Sequence, residues 1–230
     1  MFPSTALVTG SAGGIGRALV ERLKREGTDV HALDLVNGFD VSDPTAWESV
    51  DRADLACLNA GVTTSTSSIT ELTAEEYQRV VAVNVDGVVY GVRRLAREMR
   101  EGDAIVVTAS LAGLTGVEGD PIYALTKHAV VGFVRSVAPQ LAERGIRINA
   151  VCPGFADTPM VAGELRASLE EAGFPLLQAE DVATAVLLAA RGDGTGEAWV
   201  VQPGRNPEPY RFRGIPGPRV PGKEGVAPPS

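Results

Sequence analysis

The 230 residues of the chain are 44% hydrophobic and 22% charged, with a formal net charge of −8 and a pI near 4.9. This length and balance are typical of a globular chain with one domain, or one domain and a small appendage. The acidic charge disfavours nucleic acid and anionic membranes as partners, because both surfaces are negative. No stretch approaches the roughly 18 apolar residues that a membrane-spanning helix requires, so we expect no membrane partner.

Cysteine and histidine usage indicates neither a disulfide framework nor a metal site. Cys57 and Cys152 stand in or at the end of apolar runs and are predicted to be small core residues. His31 and His128 each stand alone, so no metal ligand set is expected. Only five residues precede the strand predicted at 6–9, which leaves no room for a secretory signal and favours a reduced, cytoplasmic setting.

Short apolar runs alternate with helical patterns along the chain. Strands are predicted at 6–9, 30–34, 54–58, 104–108, 146–151 and 198–202, with a very short one at 38–41. Helical spacing begins at Ile15 and ends at Gly27, and further helices are predicted over 74–100, 122–143 and 181–191. This alternation indicates βαβ units, so we expect an α/β fold with a doubly wound (Rossmann) parallel sheet of about seven strands and helices on both faces.

The composition changes after Gln202, where eight prolines fall between Pro203 and Pro229. Proline at this density excludes helices and central strands. We therefore predict one folded domain over 1–202 and a proline-rich C-terminal arm or tail over 203–230. Tyr210, Phe212 and Ile215 give the first half of the arm apolar surface, so 203–218 is expected to pack on the body or on a neighbouring subunit.

A glycine-rich turn, TGSAGGIG at 9–16, joins the first predicted strand to the first helix. Gly10, Gly14 and Gly16 permit a tight turn and a close approach of the backbone to a phosphate group. The amide groups and the dipole of the following helix would then face a pyrophosphate. The same pattern can be a plain strand-to-helix turn, and its context favours a dinucleotide site.

An acidic residue, Asp34, ends the second predicted strand. Its carboxylate would accept hydrogen bonds from the hydroxyl groups of the adenosine ribose and would repel a 2′-phosphate. Because Leu35, Val36 and Asn37 follow it and none is basic, NAD is favoured over NADP. The alternative is an ordinary polar residue at a strand end.

Tyr123 and Lys127 lie four residues apart at the start of a predicted helix, which places both on one face. Such a pair alone is common on protein surfaces. Ser110, at the end of the strand before it, adds a third polar group at the carboxyl edge of the sheet, where doubly wound folds bind ligands.

Together these residues resemble the short-chain dehydrogenase/reductase family in its single-domain form, from about Thr5 to about Gly204. The motifs that carry the resemblance are TGSAGGIG at 9–16, Asp34, Asp40-Val41, NAG at 59–61, Asn84 within VNVDG, Ser110, Tyr123 with Lys127, and PG at 153–154 followed by Thr158. The resemblance implies an oxidoreductase that transfers a hydride between NAD(H) and a secondary alcohol or ketone.

The resemblance also implies a role for each site residue. Tyr123 would be the general acid or base, and the ammonium of Lys127 together with the positive nicotinamide would lower the pKa of Tyr123. Lys127 would also hold the nicotinamide ribose. Ser110 would bind the substrate oxygen, and Asn84 would anchor a proton relay. The cofactor would be contacted by Gly10, Ser11, Gly14, Ile15, Gly16, Asp34, Asp40, Val41, Asn59, Ala60, Gly61, Tyr123, Lys127, Pro153, Gly154, Ala156 and Thr158.

The chain departs from the family pattern in three places. Only residues 42–53 separate the adenine-contact segment from the next strand, so the sheet edge is expected to be trimmed there. Leu58 stands where the family often has asparagine, which should be a mild change. The proline-rich arm is longer than usual and is expected to alter subunit packing or to cover the active site.

Two regions are expected to line the substrate site. The loop over 156–178 offers either an apolar pocket or a cover for the core, and 111–122 would form the opposite wall with Leu111, Leu114 and Val117. The resemblance implies a dimer or tetramer formed through the two long helices, and because their apolar faces exceed what one sheet face needs, we expect a homotetramer, with a dimer as the second choice. The alternative functions are an NADP-dependent ketoreductase and a non-catalytic redox sensor that binds NAD.

Overall fold

The computed structural model describes residues 3–214, which contain one sheet of seven strands. The strands are β1 (Thr5–Thr9), β2 (Asp29–Leu33), β3 (Leu55–Leu58), β4 (Ala104–Thr108), β5 (Arg147–Pro153), β6 (Ala198–Val201) and β7 (Glu208–Pro209). They are arranged in the order β2-β1-β3-β4-β5-β6-β7, and the first six are parallel. The predicted doubly wound sheet is therefore confirmed.

Helices cover both faces of this sheet. They are α1 (Gly14–Arg25), α2 (Ala74–Val81), α3 (Gly87–Glu98), α4 (Pro121–Ala142), α5 (Gly163–Glu171) and α6 (Ala179–Arg191). Leu19 and Leu23 of α1 pack with α6 in one apolar cluster, and α3 packs with α4 in a second cluster on the opposite face. Among helices within 3–214, none has the combined length and apolarity that crossing a lipid bilayer would require.

The predicted strand at 38–41 is absent, and β2 forms the sheet edge in its place. A 3-10 turn over Leu35–Asn37 ends at Gly38, whose φ of +83° turns the chain away from the sheet. Asp40 then accepts hydrogen bonds from the amide and the hydroxyl of Ser42, which bends the chain again. Phe39 packs edge-on against Trp47, so this segment covers the core as a loop.

The helix predicted over 74–100 is interrupted. A π-helical turn, Ala82–Asp86, separates α2 from α3, and it contains Asn84. The hydrophobic spacing continues through this turn, which explains why the sequence pattern did not reveal it. One extra residue per turn here places Asn84 inside the protein, where it is fully buried.

The described part of the proline-rich arm lies on the body of the protein. Glu208–Pro209 pairs antiparallel with β6, and the amide of Tyr210 donates to the carbonyl of Ala198 at 2.7 Å. The guanidinium of Arg135 on α4 lies 3.7 Å from the centre of the Phe212 ring. Glu208–Pro209 within this arm thus adds a seventh strand to the sheet, while 215–218 lie outside the described residues.

Candidate active site

The glycine-rich turn lies at the carboxyl end of β1, and contact with its neighbours leaves no space for side chains at three positions. A Cβ on Gly16 would overlap the carbonyl oxygen of Gly10. A Cβ on Gly10, which has a φ of +64°, would lie 2.9 Å from the Cα of Ala60, and one on Gly14 would lie 2.9 Å from the Thr158 methyl group. The main chain can therefore approach a ligand more closely than residues with side chains would allow.

The amino end of α1 has the properties of an anion site. Its first turn contains no acidic residue, and Gly13, its N-cap, has nothing within 4 Å of an ideal Cβ. Ser11 is buried at the base of the turn, and Ile15 is partly buried above the core. The turn thus fits the pyrophosphate of a dinucleotide, because free amide groups and a helix dipole face an open side.

Asp34 lies directly beside this turn. One carboxylate oxygen accepts the amide hydrogen of Ala12 at 2.9 Å, and the other accepts that of Val36 at 3.1 Å. Leu35 and Val36 are exposed next to it, and no residue of the 9–16 turn is basic. Val41, predicted with Asp40 to meet the adenine, buries its side chain against Gly87.

The amino end of α4 carries Tyr123 and Lys127. Asp120 caps this helix by accepting the amide hydrogen of Tyr123 at 2.8 Å, and Pro121 occupies the first turn, where its missing N–H costs nothing. Tyr123 and Lys127 then stand one helical turn apart, with the Lys127 Nζ 5.4 Å from the centre of the Tyr123 ring. The predicted pair therefore shares one face of the helix.

Lys127 is almost completely buried, with 4% of its surface exposed. Its Nζ donates to the main-chain carbonyl of Thr108 at 2.9 Å. Burial lowers the pKa of Lys127 to about 8, because the ammonium loses its hydration. The lysine is thus held beside the end of β4, in surroundings that disfavour its charged form.

Burial dominates the effect of the protein groups on Tyr123. The prediction that Lys127 and the positive nicotinamide together lower the pKa of Tyr123 stays a prediction, while burial by the protein raises the pKa of this phenol to about 12. A hydrogen bond with the Ser110 side chain acts in the opposite direction and is the smaller effect, while the charge of Asp120 adds to the increase. In this structure Tyr123 therefore keeps its proton across the physiological range.

Asn84 makes three hydrogen bonds from inside the π-helical turn. Its Oδ1 accepts the amide hydrogen of Val62 and its Nδ2 donates to the carbonyl of Val62, both at 2.8 Å. Its Nδ2 also donates to the Thr126 hydroxyl at 3.0 Å. Both the Oδ1 of Asn84 and the Nζ of Lys127 lie 3.4 Å from an ideal Cβ at Gly61, so these two predicted residues meet at the same point.

Threonine side chains that sequence reasoning missed support this arrangement. The Thr9 hydroxyl accepts the amide hydrogens of Asn59 and Ala60, at 2.9 and 3.1 Å. The Thr108 hydroxyl donates to the Asn59 side chain at 3.1 Å, which ties the end of β4 to that of β3. Thr126, just before Lys127 in the chain, could have been found from its place within the motif.

The end of β5 brings the last predicted cofactor residues to the same edge. After Pro153, the Gly154 amide donates to the carbonyl of Val201 at 3.0 Å. Ala156 is buried and forms a bridge with Leu177, and Thr158 packs against Gly14. The residues predicted around the cofactor thus lie along one edge of the sheet, from Asp34 on one side to Thr158 on the other.

The substrate loop contains α5, and its apolar residues divide between the two expected roles. Val161, Leu169 and Leu177 are buried and cover the core. Met160, Leu165 and Phe174 are more than 40% exposed, and the Phe174 ring packs edge-on against that of Phe155. On the opposite side Leu111 and Leu114 are partly buried against the core.

Comparison with known proteins agrees with this architecture. A family model described as enoyl-(acyl carrier protein) reductase matches residues 40–204. A 3beta-hydroxysteroid dehydrogenase 2 of Eggerthella lenta is 35% identical over 69% of this chain and 73% of its own. The chain belongs to the short-chain dehydrogenase/reductase family. It is therefore an oxidoreductase whose cofactor is a nicotinamide dinucleotide.

Two further matches extend the comparison. The cyclohexanol dehydrogenase of Acinetobacter sp. strain SE19 is 30% identical over 85% of this chain and 92% of its own. The solved structure of BdcA in complex with NADPH matches with a TM-score of 0.73 and 27% identity, over 86% of this chain and 92% of that one. The similarity thus extends across most of both partners in each case.

Proposed function

We propose that the protein interconverts a secondary alcohol and a ketone with NAD(H), using Tyr123 as the general acid or base. The observation that carries this proposal is the arrangement around the Tyr123 phenol. The Ser110 side chain acts on it from the end of β4, Lys127 stands one turn along the same helix, and the glycine-rich turn lies at the same sheet edge. A non-catalytic protein that only senses NAD would have no physical need for Ser110, Tyr123 and Lys127 together.

The protein residues would handle the proton of the reaction. A bound nicotinamide would supply or accept the hydride. In reduction Tyr123 would give its phenolic proton to the carbonyl oxygen, and in oxidation it would take the proton of the alcohol. Because the pKa of Tyr123 is raised to about 12, the protonated form that reduction requires is ready at neutral pH.

The other residues of the site would assist this transfer. The Ser110 hydroxyl would donate to the same substrate oxygen and stabilise its developing charge. Lys127, whose pKa near 8 lets it hold or release a proton near neutrality, would hold the nicotinamide ribose. Asn84 would anchor a proton relay from Lys127, since both lie beside Gly61.

The cofactor would lie along the sheet edge from Asp34 to Thr158. We propose Gly10, Ser11, Gly14, Ile15 and Gly16 around the pyrophosphate, Asp34 on the adenosine ribose, Asp40 and Val41 at the adenine, Asn59, Ala60 and Gly61 under the ribose, and Pro153, Gly154, Ala156 and Thr158 at the nicotinamide. NAD is preferred because the Asp34 carboxylate would repel a 2′-phosphate and the adjoining turn has no cation to offset it.

The NADP-dependent alternative is kept because BdcA, one of the solved relatives, is in complex with NADPH. The two alternatives are distinguished by the ratio of the affinities of the wild-type protein for NAD and for NADP. Binding of NADP to the wild-type protein more tightly than NAD would overturn the assignment of Asp34, while leaving the role of Tyr123 intact.

We further propose a cytoplasmic homotetramer, with a dimer as the second choice, in which 1–202 forms the catalytic domain and 203–230 the arm. Cys57 and Cys152 are buried and unpaired, which suits a reducing compartment. Val130 and Val134 are buried in the core of the subunit. The α4 surface left for subunit contact therefore includes Leu125, which is 48% exposed, and the partly buried Phe133.

A substrate panel tests the proposed reaction. Purified protein is offered NAD or NADP with cyclohexanol, a 3β-hydroxysteroid and acyclic secondary alcohols, and the reduced nicotinamide is followed by absorbance. The reverse panel uses the ketones and an enoyl thioester. We expect turnover of a secondary alcohol or ketone with NAD(H). Reduction of the thioester alone, or cofactor binding without turnover of any compound, would contradict the proposal.

A further inference from the structure

The segment directly after the NAG motif, residues 62–65, is held at every position by a side chain from another element. Besides the Asn84 bonds to Val62, Arg79 donates to the Thr63 carbonyl at 2.8 Å. Asp120 accepts the amide hydrogen of Thr64 at 3.0 Å, and Glu76 accepts that of Ser65. Four successive residues are thus fixed by the helical region over 74–86 and by the N-cap of α4.

Among these four side chains, Asp120 is the one that bonds the main chain of Tyr123, whereas the partner of Asn84 in the same helix is the Thr126 hydroxyl. The Oδ2 of Asp120 accepts from Thr64, and its Oδ1 accepts from the main-chain amide of Tyr123 at 2.8 Å. One carboxylate therefore joins the 62–65 segment to the residue that carries the phenol. Charge-assisted hydrogen bonds of this kind are stronger than neutral ones, so the Asp120 carboxylate resists movement of the 62–65 segment relative to Tyr123.

We propose that Asp120 is a positioning residue of the reaction, which fixes the amino end of α4 against the 62–65 segment and so determines where Tyr123 stands. This inference rests on the proposed function of Tyr123. It assigns to Asp120 a task that a helix cap alone does not have, because its second oxygen holds the 62–65 segment.

The charges that face Tyr123 make this task measurable. Lys127 faces the ring from the same helix, Ser110 from the end of β4, and Cys152 from β5. Burial raises the pKa of the Cys152 thiol to about 12, so it is neutral in ordinary buffers. Among the described residues that act on Tyr123, Asp120 thus contributes the negative charge, which raises the pKa of the phenol.

The test compares the wild-type protein with Asp120→Asn and Asp120→Ser in alcohol oxidation. Both variants keep an acceptor for the Tyr123 amide, and both remove the charge. We expect kcat to fall by roughly 10- to 100-fold, with little change in the affinity for NAD. The limb of the pH profile that reports Tyr123 should move to lower pH, because removal of a negative charge favours the phenolate.

Asp54→Asn is the matched control. Asp54 also accepts two main-chain amide hydrogens, those of Ser4 and Thr5 at 2.9 and 3.0 Å, but it lies before β3 at the opposite edge of the sheet. This control should lose stability without moving the pH profile. If Asp120→Asn and Asp120→Ser change stability alone, as Asp54→Asn does, the positioning role is overturned.

Hydrogen exchange separates this inference from the proposed function. In Asp120→Ser the amide of Thr64 should exchange faster, while the amide of Ser65, held by Glu76, should change less. This measurement needs no substrate. It therefore shows whether Asp120 holds the Thr64 amide even if the wild-type protein turns over none of the compounds offered. Unchanged exchange at Thr64 would show that the carboxylate does not hold the segment.

Discussion

The glycine-rich turn and the polar cluster around Tyr123 lie along the same edge of the sheet, yet they depend on opposite physical properties. The turn depends on the absence of side chains, since a Cβ at Gly10 or Gly16 would meet main-chain atoms. The cluster depends on buried polar side chains, and Asn84 and Lys127 each have hydrogen-bond partners at 2.8 to 3.0 Å.

This difference determines which property each region should lose when one of its residues is substituted. In the turn, any added carbon forces the backbone to move, so stability and cofactor affinity should be lost together. In the cluster, a substitution of similar shape leaves the packing intact and removes only charge or a hydrogen bond. Chemistry can therefore be lost there while the fold remains. The following substitutions test this contrast from the largest expected effect to the smallest.

The first test adds one carbon to the turn. Gly16→Ala should lower the free energy of unfolding by about 1–3 kcal/mol and abolish detectable NAD binding, because the new Cβ would overlap the Gly10 carbonyl. Gly13→Ala is the matched control, since nothing lies within 4 Å of its Cβ, and it should keep its stability. Thermal unfolding of both variants measures the difference. Equal stability of the two would break the steric account of the turn.

The second test changes the charge beside the turn. Asp34→Arg should weaken NAD binding by about 10-fold, as expected for the loss of charge-assisted hydrogen bonds worth about 1.5 kcal/mol, and should improve NADP binding. Titration with each cofactor gives the ratio of dissociation constants. If the ratio of the two dissociation constants stays at its wild-type value, Asp34 does not determine the choice between NAD and NADP.

The third test addresses the buried charge of the cluster. The pKa of Lys127 is about 8 when folded and near 10.5 when unfolded, so between these values the unfolded chain binds more protons. The desolvation cost is complete below pH 8 and is relieved as the pH rises toward 10.5.

Lys127→Met should therefore be stabilised relative to wild type most at pH 7, and this advantage should shrink from pH 8 upward. Denaturant unfolding of both proteins at several pH values isolates this lysine, because Cys57, Cys152 and Tyr123 titrate in both. The variant should lose turnover at every pH. A stability difference that does not vary with pH would show that Lys127 has an ordinary pKa.

The fourth test removes one hydroxyl from the cluster. Thr126→Val keeps the shape of the side chain but deprives the Asn84 Nδ2 of the acceptor that lies 3.0 Å away. It also removes the hydrogen bond that the Thr126 hydroxyl donates to the Tyr123 carbonyl at 2.8 Å within the same helix. Because Asn84 keeps both bonds to Val62, we expect a cost of about 1 kcal/mol and a small decrease in kcat. Loss of the folded state would mean that Thr126 contributes more to the packing of α4 than its hydrogen bonds indicate.

The residues at the sheet edge were predictable from sequence because parallel strands end at the same edge. Asp34, Asn59 and Ser110 each follow a strand, and the glycine-rich turn follows β1, so their proximity required only the strand order. Asp120 could also have been recognised, since an acidic residue before a proline marks the start of a helix. These features are encoded locally, in spacing and in turn chemistry.

Other features depend on the folded environment and left no local signal. In the π-helical turn, the Asn84 side chain forms hydrogen bonds with Val62 and Thr126, which lie far away in the chain. The segment over 38–41 has strand-like residues, but Gly38 and Asp40 turn it away from the sheet. The raised pKa of Tyr123 depends on how deeply the phenol is buried, which the spacing of a motif does not contain.

The central claim, that Tyr123 moves the proton of a hydride-transfer reaction, is tested most directly by Tyr123→Phe. This variant removes one oxygen and keeps the ring beside Lys127. Its NADH affinity and its thermal unfolding should match those of wild type, while kcat on the best alcohol or ketone of the panel should fall by about 10²- to 10⁴-fold. Full turnover by Tyr123→Phe with the same substrate would contradict the mechanism.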